Sequence, residues 1–159
     1  MGKMEVHLKF FGQIKEKKMP SITPKLATLL VVEDDEVDFK LLMRSFAQRK
    51  ISNAVVRAKD GLDALEKIQN EEVSKPFIVL LDLNMPRMNG REFLTEIRKD
   101  PLHADTVVFL ITTSSDSKDI KESFAQHAAG YFLKDNVDGS IDKIVEVIDG
   151  YWQIVILPT

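Results

Sequence analysis

The stretch FIVLLDLNMPRMNG, Phe77–Gly90, decides the fold of this chain. Its first five residues are all apolar and run without polar alternation into Asp82. This pattern is typical of a strand buried on both faces of a parallel sheet, whose last residue reaches the edge where open α/β sheets bind ligands. Pro86 fixes its own φ and Gly90 permits a positive φ, which together predict a shaped loop after the strand. Taken alone, Asp82 either caps this turn or carries a function.

The composition excludes several classes of protein. The 159 residues are 44% hydrophobic and 30% charged, which predicts one globular domain, and no apolar run is long enough to cross a membrane. The absence of cysteine excludes disulfides and thiolate chemistry, and the three histidines show no metal-ligand spacing. A net charge of −3 argues against a nucleic-acid module. We therefore expect a cytoplasmic protein with no nucleic-acid or membrane partner.

Residues 1–25 differ from the rest of the chain in charge. They contain six lysines and two glutamates, and Pro20 and Pro24 mark a linker at their end. We predict a flexible extension here, with a basic tail that docks on an acidic partner as the alternative. The domain itself is then expected to span residues 26–159.

Apolar runs and helical patterns alternate five times along the rest of the sequence. Strands are predicted at 26–32, 52–58, 77–81, 107–111 and 131–133. The predicted apolar helix positions are Val37, Leu41, Met43 and Phe46; Leu62, Leu65 and Ile68; Phe93, Leu94 and Ile97; Ile120, Phe124 and Ala128; and Ile141, Ile144, Val145 and Ile148. Gly130 is predicted to cap the fourth helix, and Gly150 to interrupt the fifth. The alternation predicts a doubly wound parallel sheet with helices on both faces.

Four of these strands run into polar residues, and parallel strands bring such residues to one edge of the sheet. The residues are Glu33 and Asp34, Asp82, Thr112, and Lys134. Three carboxylates would converge if the first and third strands are neighbours, and crowded carboxylates without histidine or cysteine suit Mg²⁺. Lys134 supplies a positive charge and Thr112 a rotatable hydroxyl. The pattern predicts a site that holds a phosphoryl group on or beside Asp82.

Four motifs in order carry a resemblance to a known family. They are LLVVEDDEVD, LLDLNMPRMNG, LITTSS and GYFLKD. The chain from Leu26 to Ile148 resembles the response-regulator receiver domain of two-component signalling. The TTS after the fourth strand and residues 151–158 are most similar to single-domain regulators paired with bacterial phytochromes. The resemblance implies a flavodoxin-like (βα)5 fold with strand order 2-1-3-4-5.

The resemblance also implies roles for the residues at the strand ends. Asp82 would be the phospho-acceptor, Asp34 a direct Mg²⁺ ligand, and Glu33 a ligand acting mostly through water. The backbone carbonyl of Asn84 would complete the protein's share of the metal shell. Thr112 would be the switch hydroxyl that bonds the phosphoryl oxygen.

Two further roles come with the fifth strand. Lys134 would be the cation of the site, and Tyr131 the aromatic switch. The family usually has proline after this lysine, whereas Asp135 follows here, so we predict either a trans Lys134–Asp135 bond or a strained cis one. Tyr151 and Trp152, in an apolar chain end, are predicted to form an interface in a homodimer.

The resemblance implies that the protein accepts a phosphoryl group from a sensor histidine kinase and is not a conventional enzyme. A phytochrome-type kinase is the candidate donor. We expect no effector domain after this domain, so output is expected through partner binding, dimerisation or phosphate relay. A phosphorylation-independent interaction module is one alternative. A haloacid-dehalogenase-type phosphatase is another, but it needs a second aspartate two residues after the first, where this chain has Asn84.

Overall fold

The fold is a five-stranded parallel sheet with helices on both faces, seen in a computed structural model that describes residues 26–135 and 139–158. The strands are β1 Thr28–Val32, β2 Val55–Ala58, β3 Phe77–Leu81, β4 Val107–Thr112 and β5 Gly130–Leu133. The helices are α1 Glu36–Gln48, α2 Gly61–Gln69, α3 Gly90–Lys99, α4 Ser117–Ala125 and α5 Ser140–Ile154. The strand order β2-β1-β3-β4-β5 confirms the predicted fold class. The prediction for residues 1–25 lies outside the described residues.

The central strands β1 and β3 place the acidic residues next to each other. Both strands are buried along their whole length, and they pair in parallel with Val32 beside Leu81. Glu33 and Asp82 each follow one of these paired residues directly. The Asp82 N–H donates to the Val32 carbonyl at 3.1 Å. The register therefore brings the two acidic strand ends together at the carboxyl edge of the sheet.

Two apolar layers cover the sheet. One packs side chains of α2 and α3, such as Phe93 and Ile97, against one face. The other packs side chains of α1 and α5, such as Phe46 and Ile148, against the opposite face. None of the helices in the described ranges is both long and apolar enough to span a membrane.

Side-chain caps begin the first four helices. In each, the side-chain oxygen of the preceding residue accepts a backbone N–H of the first turn, which satisfies a group that the helix itself leaves unpaired. The capping residues are Asp35, Asp60, Asn89 and Asp116. For α1, the cap Asp35 lies in the acidic run that follows β1, so this run leads directly into the helix.

The predicted apolar face of α1 is partly wrong. Val37 and Leu41 are 66% and 45% exposed, whereas Leu42 and Phe46 are buried. The helix is therefore rotated so that the row containing Leu42 and Phe46 meets the sheet, and Val37 and Leu41 remain at the surface.

The predictions for α4 and Gly130 are also wrong. Phe124 is 51% exposed, and the buried side chains of α4 are the polar Asp119 and Ser123. Gly130 begins β5, because the preceding residue already donates to a β4 carbonyl. A Cβ at Gly130 would lie only 3.0 Å from the ring of Phe109, so glycine permits this close approach.

The last helix continues through Gly150 to Ile154, so the predicted interruption is wrong. Trp152 is 4% exposed and meets Phe46 edge to face, with 6.3 Å between ring centroids. This burial favours the additional helical turn more than glycine disfavours it. The prediction of Trp152 as an interface residue is wrong, because its indole lies in the core of its own domain. Tyr151 is half-buried, with its ring edge to face with Phe109.

Candidate functional site

Three carboxylates converge at the carboxyl edge of the sheet. Glu33, Asp34 and Asp82 each offer an oxygen, and these oxygens all lie within 4.8 Å of one another. Glu33 and Asp82 are buried, and Asp34 is exposed. Elsewhere in the described part of the chain, no other group of three such side chains lies close enough to share a metal ion. The structure thus brings together the carboxylates that the strand ends predict.

Lys134 enters this cluster from the end of β5. Its ammonium nitrogen lies 2.9 Å from Glu33 Oε2, 2.9 Å from Asp38 Oδ2 and 3.4 Å from Asp82 Oδ2. The side chain is only 8% exposed. Its backbone N–H donates to the Thr112 carbonyl at 2.8 Å, which ties the ends of β4 and β5 together. One buried cation therefore faces three acidic groups.

The peptide bond after this lysine is trans. Within residues 26–135 and 139–158, the one cis peptide bond is the bond between Lys75 and Pro76. Of the two predicted forms of the Lys134–Asp135 bond, the structure contains the trans one. The side chain of Lys134 reaches the acidic cluster without a proline after it.

Burial and crowding shift the pKa values of this cluster. Burial raises the pKa of Glu33 to about 7, and the charge of Asp82 adds to this effect, while Lys134 opposes it. Burial alone would lower the pKa of Lys134, but its contacts with Glu33 and Asp38 outweigh burial and raise it above the ordinary lysine value. The lysine is therefore charged at neutral pH, and the acids remain crowded around it.

This arrangement fits a hard divalent cation. The three carboxylates offer oxygen ligands only, and their crowding is relieved by positive charge. The exposed position of Asp34 leaves one side of the cluster open to solvent. Near it, the Asn84 N–H donates to Asp82 Oδ1 at 3.4 Å. The role of the Asn84 carbonyl as a metal ligand stays a prediction.

The two predicted switch residues, Thr112 and Tyr131, both contact Ser114. Thr112 is fully buried, and its hydroxyl accepts from the Ser114 N–H at 3.3 Å. The half-buried Tyr131 donates its hydroxyl to the Ser114 carbonyl at 2.7 Å. Burial raises the pKa of Tyr131, which keeps its hydroxyl protonated. The loop after β4 is thus held from both sides, while the switching itself stays a prediction.

An ion pair between α3 and α4 holds the same loop and was not predicted. Arg91 binds both carboxylate oxygens of Asp119, each at 2.7 Å, and the Ser114 hydroxyl donates to Asp119 at 2.6 Å. The bonds from Arg91, which have the larger effect, and the bond from Ser114 lower the pKa of Asp119 to about 2. The polar inner side of α4 therefore belongs to this network.

A second ion pair shapes the loop that follows Asp82. Arg87 binds both carboxylate oxygens of Asp60, at 2.7 and 3.1 Å, and Asp60 also caps α2. At the end of the loop, Gly90 donates its N–H to the Leu83 carbonyl at 3.0 Å. A Cβ at Gly90 would collide with the Asp82 carbonyl oxygen, so the return of the chain requires glycine here.

Asp38 is the site residue that the strand-end pattern missed. It lies in the first turn of α1 rather than at the end of a strand. The signal that could have found it is its place in the acidic run after β1, since it is a further acid in the helical turn that starts at this edge.

Residues 29–148 match the family model of the response regulator receiver domain, and the chain belongs to this family. Its fold, acidic cluster and Lys134 are thus found in a receiver domain.

Among its relatives, response regulator Rcp1 of Synechocystis sp. is 32% identical over 135 residues, which cover 82% of this chain and 92% of Rcp1. The probable methanogenesis regulatory protein FilR2 of Methanothrix harundinacea is 32% identical over 145 residues, 89% of each chain. The Mn²⁺-bound structure of Rcp1 has a TM-score of 0.76 at 31% identity, covering 84% of this chain and 99% of Rcp1. The structure of the phosphorylated cyanobacterial phytochrome response regulator RcpA has a TM-score of 0.77 at 30% identity. The match covers 85% of this chain and 100% of RcpA. The chain is therefore a receiver-domain response regulator related to phytochrome-associated regulators.

Proposed function

We propose that this protein accepts a phosphoryl group on Asp82 from a sensor histidine kinase in a Mg²⁺-dependent reaction. One observation carries the proposal: Asp82 lies beside Glu33 and Asp34, with the Lys134 ammonium 3.4 Å away. A carboxylate nucleophile, acidic metal ligands and a fixed cation are the groups that phosphoryl transfer to aspartate requires.

In the proposed reaction, an oxygen of the Asp82 carboxylate forms a bond to the phosphorus of a phosphohistidine. The P–N bond breaks at the same time, and the departing imidazole nitrogen keeps the electron pair and takes up a proton. Lys134 neutralises charge on the transferring group from its position at the end of β5. When bound to Glu33, Asp34 and Asp82, Mg²⁺ would supply further neutralisation of this charge.

The response to phosphorylation is proposed to pass through the loop after β4. In this structure, the Thr112 hydroxyl accepts from the Ser114 N–H. The charge of a phosphoryl group on Asp82 attracts this hydroxyl away from Ser114. Because Tyr131 holds the carbonyl of Ser114, a shift of this loop changes the environment of Tyr131. The surface around β4 and β5 then changes its affinity for a partner.

The nature of the relatives supports the partner we propose. RcpA is a phosphorylated cyanobacterial phytochrome response regulator, and Rcp1 is known in a Mn²⁺-bound form. By analogy we infer a phytochrome-type histidine kinase as the phosphoryl donor, in the cytoplasm, and a homodimer as the working form. Since Trp152 is buried, a homodimer would have to use other surfaces.

Phosphorylation by acetyl phosphate tests the proposal. The protein is incubated with acetyl phosphate and Mg²⁺, and the phosphorylated fraction is read from intact mass. The wild type and Asp142→Asn, in which an exposed acid of α5 is neutralised, are expected to gain one phosphoryl group. Asp82→Asn is expected to gain none, and so is the wild type in EDTA. Equal labelling of Asp82→Asn and the wild type would refute the assignment.

A further inference from the structure

Asp38 contacts Lys134 as closely as any carboxylate of the acidic cluster does. The distance from Lys134 Nζ to Asp38 Oδ2 is 2.9 Å, equal to the distance to Glu33 and shorter than the 3.4 Å to Asp82. Asp38 is not among the three side chains that converge as ligands for a metal. It thus contacts the cation of the site without belonging to the metal cluster.

The first turn of α1 fixes the position of Asp38. Its backbone N–H donates to the capping carboxylate of Asp35 at 2.9 Å. In turn, the Asp35 N–H donates to Glu33 Oε1 at 3.0 Å. This chain of bonds joins the end of β1 to the helix, so the carboxylate of Asp38 comes from a rigid element.

Three acceptors match the three N–H donors of the lysine ammonium. Glu33, Asp38 and Asp82 approach it from the end of β1, the first turn of α1 and the end of β3. An ammonium on a four-carbon stem is otherwise free to rotate and move. The two shorter bonds hold it on the β1 and α1 side, so the third donor faces Asp82.

We propose that Asp38 is a positioning residue, which holds the Lys134 ammonium so that one donor stays directed at the group transferred to Asp82. This inference rests on the proposed function. A phosphoryl group on Asp82 places its oxygens beyond the carboxylate, so Lys134 can bind one while keeping its bonds to Glu33 and Asp38. An ordinary first-turn acid would only complement the helix dipole, and its loss would alter stability without altering Lys134.

The test compares Asp38→Ala and Asp38→Asn with Asp142→Asn. Asp142 lines the same 360 Å³ cavity as Asp38 and Lys134, so its neutralisation removes one negative charge from the same opening. The lysine ammonium is observed by ¹⁵N NMR, where hydrogen bonds that slow proton exchange keep the Lys134 signal visible. The initial rate of labelling by acetyl phosphate is measured at saturating Mg²⁺, so that a change in the affinity for the metal does not alter the measured rate.

Asp38→Ala is expected to broaden or remove the Lys134 signal and to slow labelling roughly tenfold, as a misplaced catalytic group does. Asp38→Asn keeps an oxygen acceptor, so its labelling rate is expected to lie between those of Asp38→Ala and the wild type. Asp142→Asn should match the wild type in both measurements. An unchanged Lys134 signal or an unchanged rate in Asp38→Ala would overturn the inference. Absence of labelling in the wild type would instead refute the proposed function, and the NMR result would then stand on its own.

Discussion

The Lys134 ammonium lies 3.4 Å from the Asp82 carboxylate, within one hydrogen bond of the proposed phospho-acceptor. This lysine supplies positive charge that offsets the buried carboxylates of Glu33 and Asp82. The lysine and a divalent cation therefore both relieve the repulsion among the same acidic groups. This relationship leads to the first prediction.

Replacement of the lysine, Lys134→Ala, is expected to slow phosphorylation and at the same time to strengthen Mg²⁺ binding. Removal of the cation leaves the carboxylates uncompensated, at a cost of about 3–5 kcal/mol for a buried pair that loses one partner. In EDTA the variant should unfold at lower urea concentration than the wild type, and Mg²⁺ should restore more stability to it. Urea denaturation with and without Mg²⁺ checks this.

Lys118→Ala is the matched control for that experiment. Lys118 is an exposed lysine of α4, 3.9 Å from Glu122, and exposed pairs contribute little to stability. Its loss should leave both the stability and its Mg²⁺ dependence unchanged. If Mg²⁺ stabilised Lys134→Ala no more than it does Lys118→Ala, the carboxylates would not be acting on a shared cation.

The Arg91–Asp119 pair is expected to stabilise the fold in a pH-dependent way. Arg91 and Ser114 lower the pKa of Asp119 to about 2 from an ordinary 3.8. A lowered pKa means that the stabilisation is fully present above pH ~4 and is lost as the pH falls toward 2. Because Arg91 is partly exposed, solvent screening reduces the effect, and Asp119→Asn should cost about 1 kcal/mol at pH 7.

Urea denaturation of Asp119→Asn and the wild type across this pH range measures that difference. The stability gap between the two proteins should be constant from pH 7 to 5 and should narrow below pH 4. Asp142→Asn provides the control, since it neutralises an exposed acid elsewhere. A gap that widens toward low pH would contradict the assignment.

The core position of Trp152 predicts a large loss of stability without a change in assembly. Trp152→Ala should lower the free energy of unfolding by about 3–5 kcal/mol, because it empties the space against Phe46. Ile154→Ala, at a position 79% exposed, should change it little. Chemical denaturation and molar mass by light scattering check both points. A Trp152→Ala protein of normal stability but reduced molar mass would restore the interface interpretation.

The strands and the strand-end residues could be predicted from the sequence because both depend on short-range patterns. Unbroken apolar runs ending in Asp82, Thr112 or Lys134 indicate buried parallel strands, and parallel strands align their ends. The convergence of Glu33 with Asp82 follows from the pairing of Val32 with Leu81. These features need no knowledge of how the helices are rotated.

The helix faces and the supporting polar network could not be predicted from the same patterns. The α1 sequence has apolar residues on two sides, and only contact with the sheet decides that Leu42 is buried and Val37 exposed. The Arg91–Asp119 pair joins residues 28 positions apart, so it depends on how α3 and α4 pack. Gly150 has a low helix propensity, but the packing of Trp152 outweighs it.

The most direct measurement identifies the phosphorylated residue itself. After treatment with acetyl phosphate and Mg²⁺, borohydride reduces an aspartyl phosphate to homoserine, and peptide mass spectrometry locates it. We predict homoserine at position 82, only in the sample with Mg²⁺, and none at Asp34 or Asp38. Homoserine at another position, or its absence at position 82 in a sample that carries the phosphoryl group, would contradict the assignment of Asp82 as the phospho-acceptor.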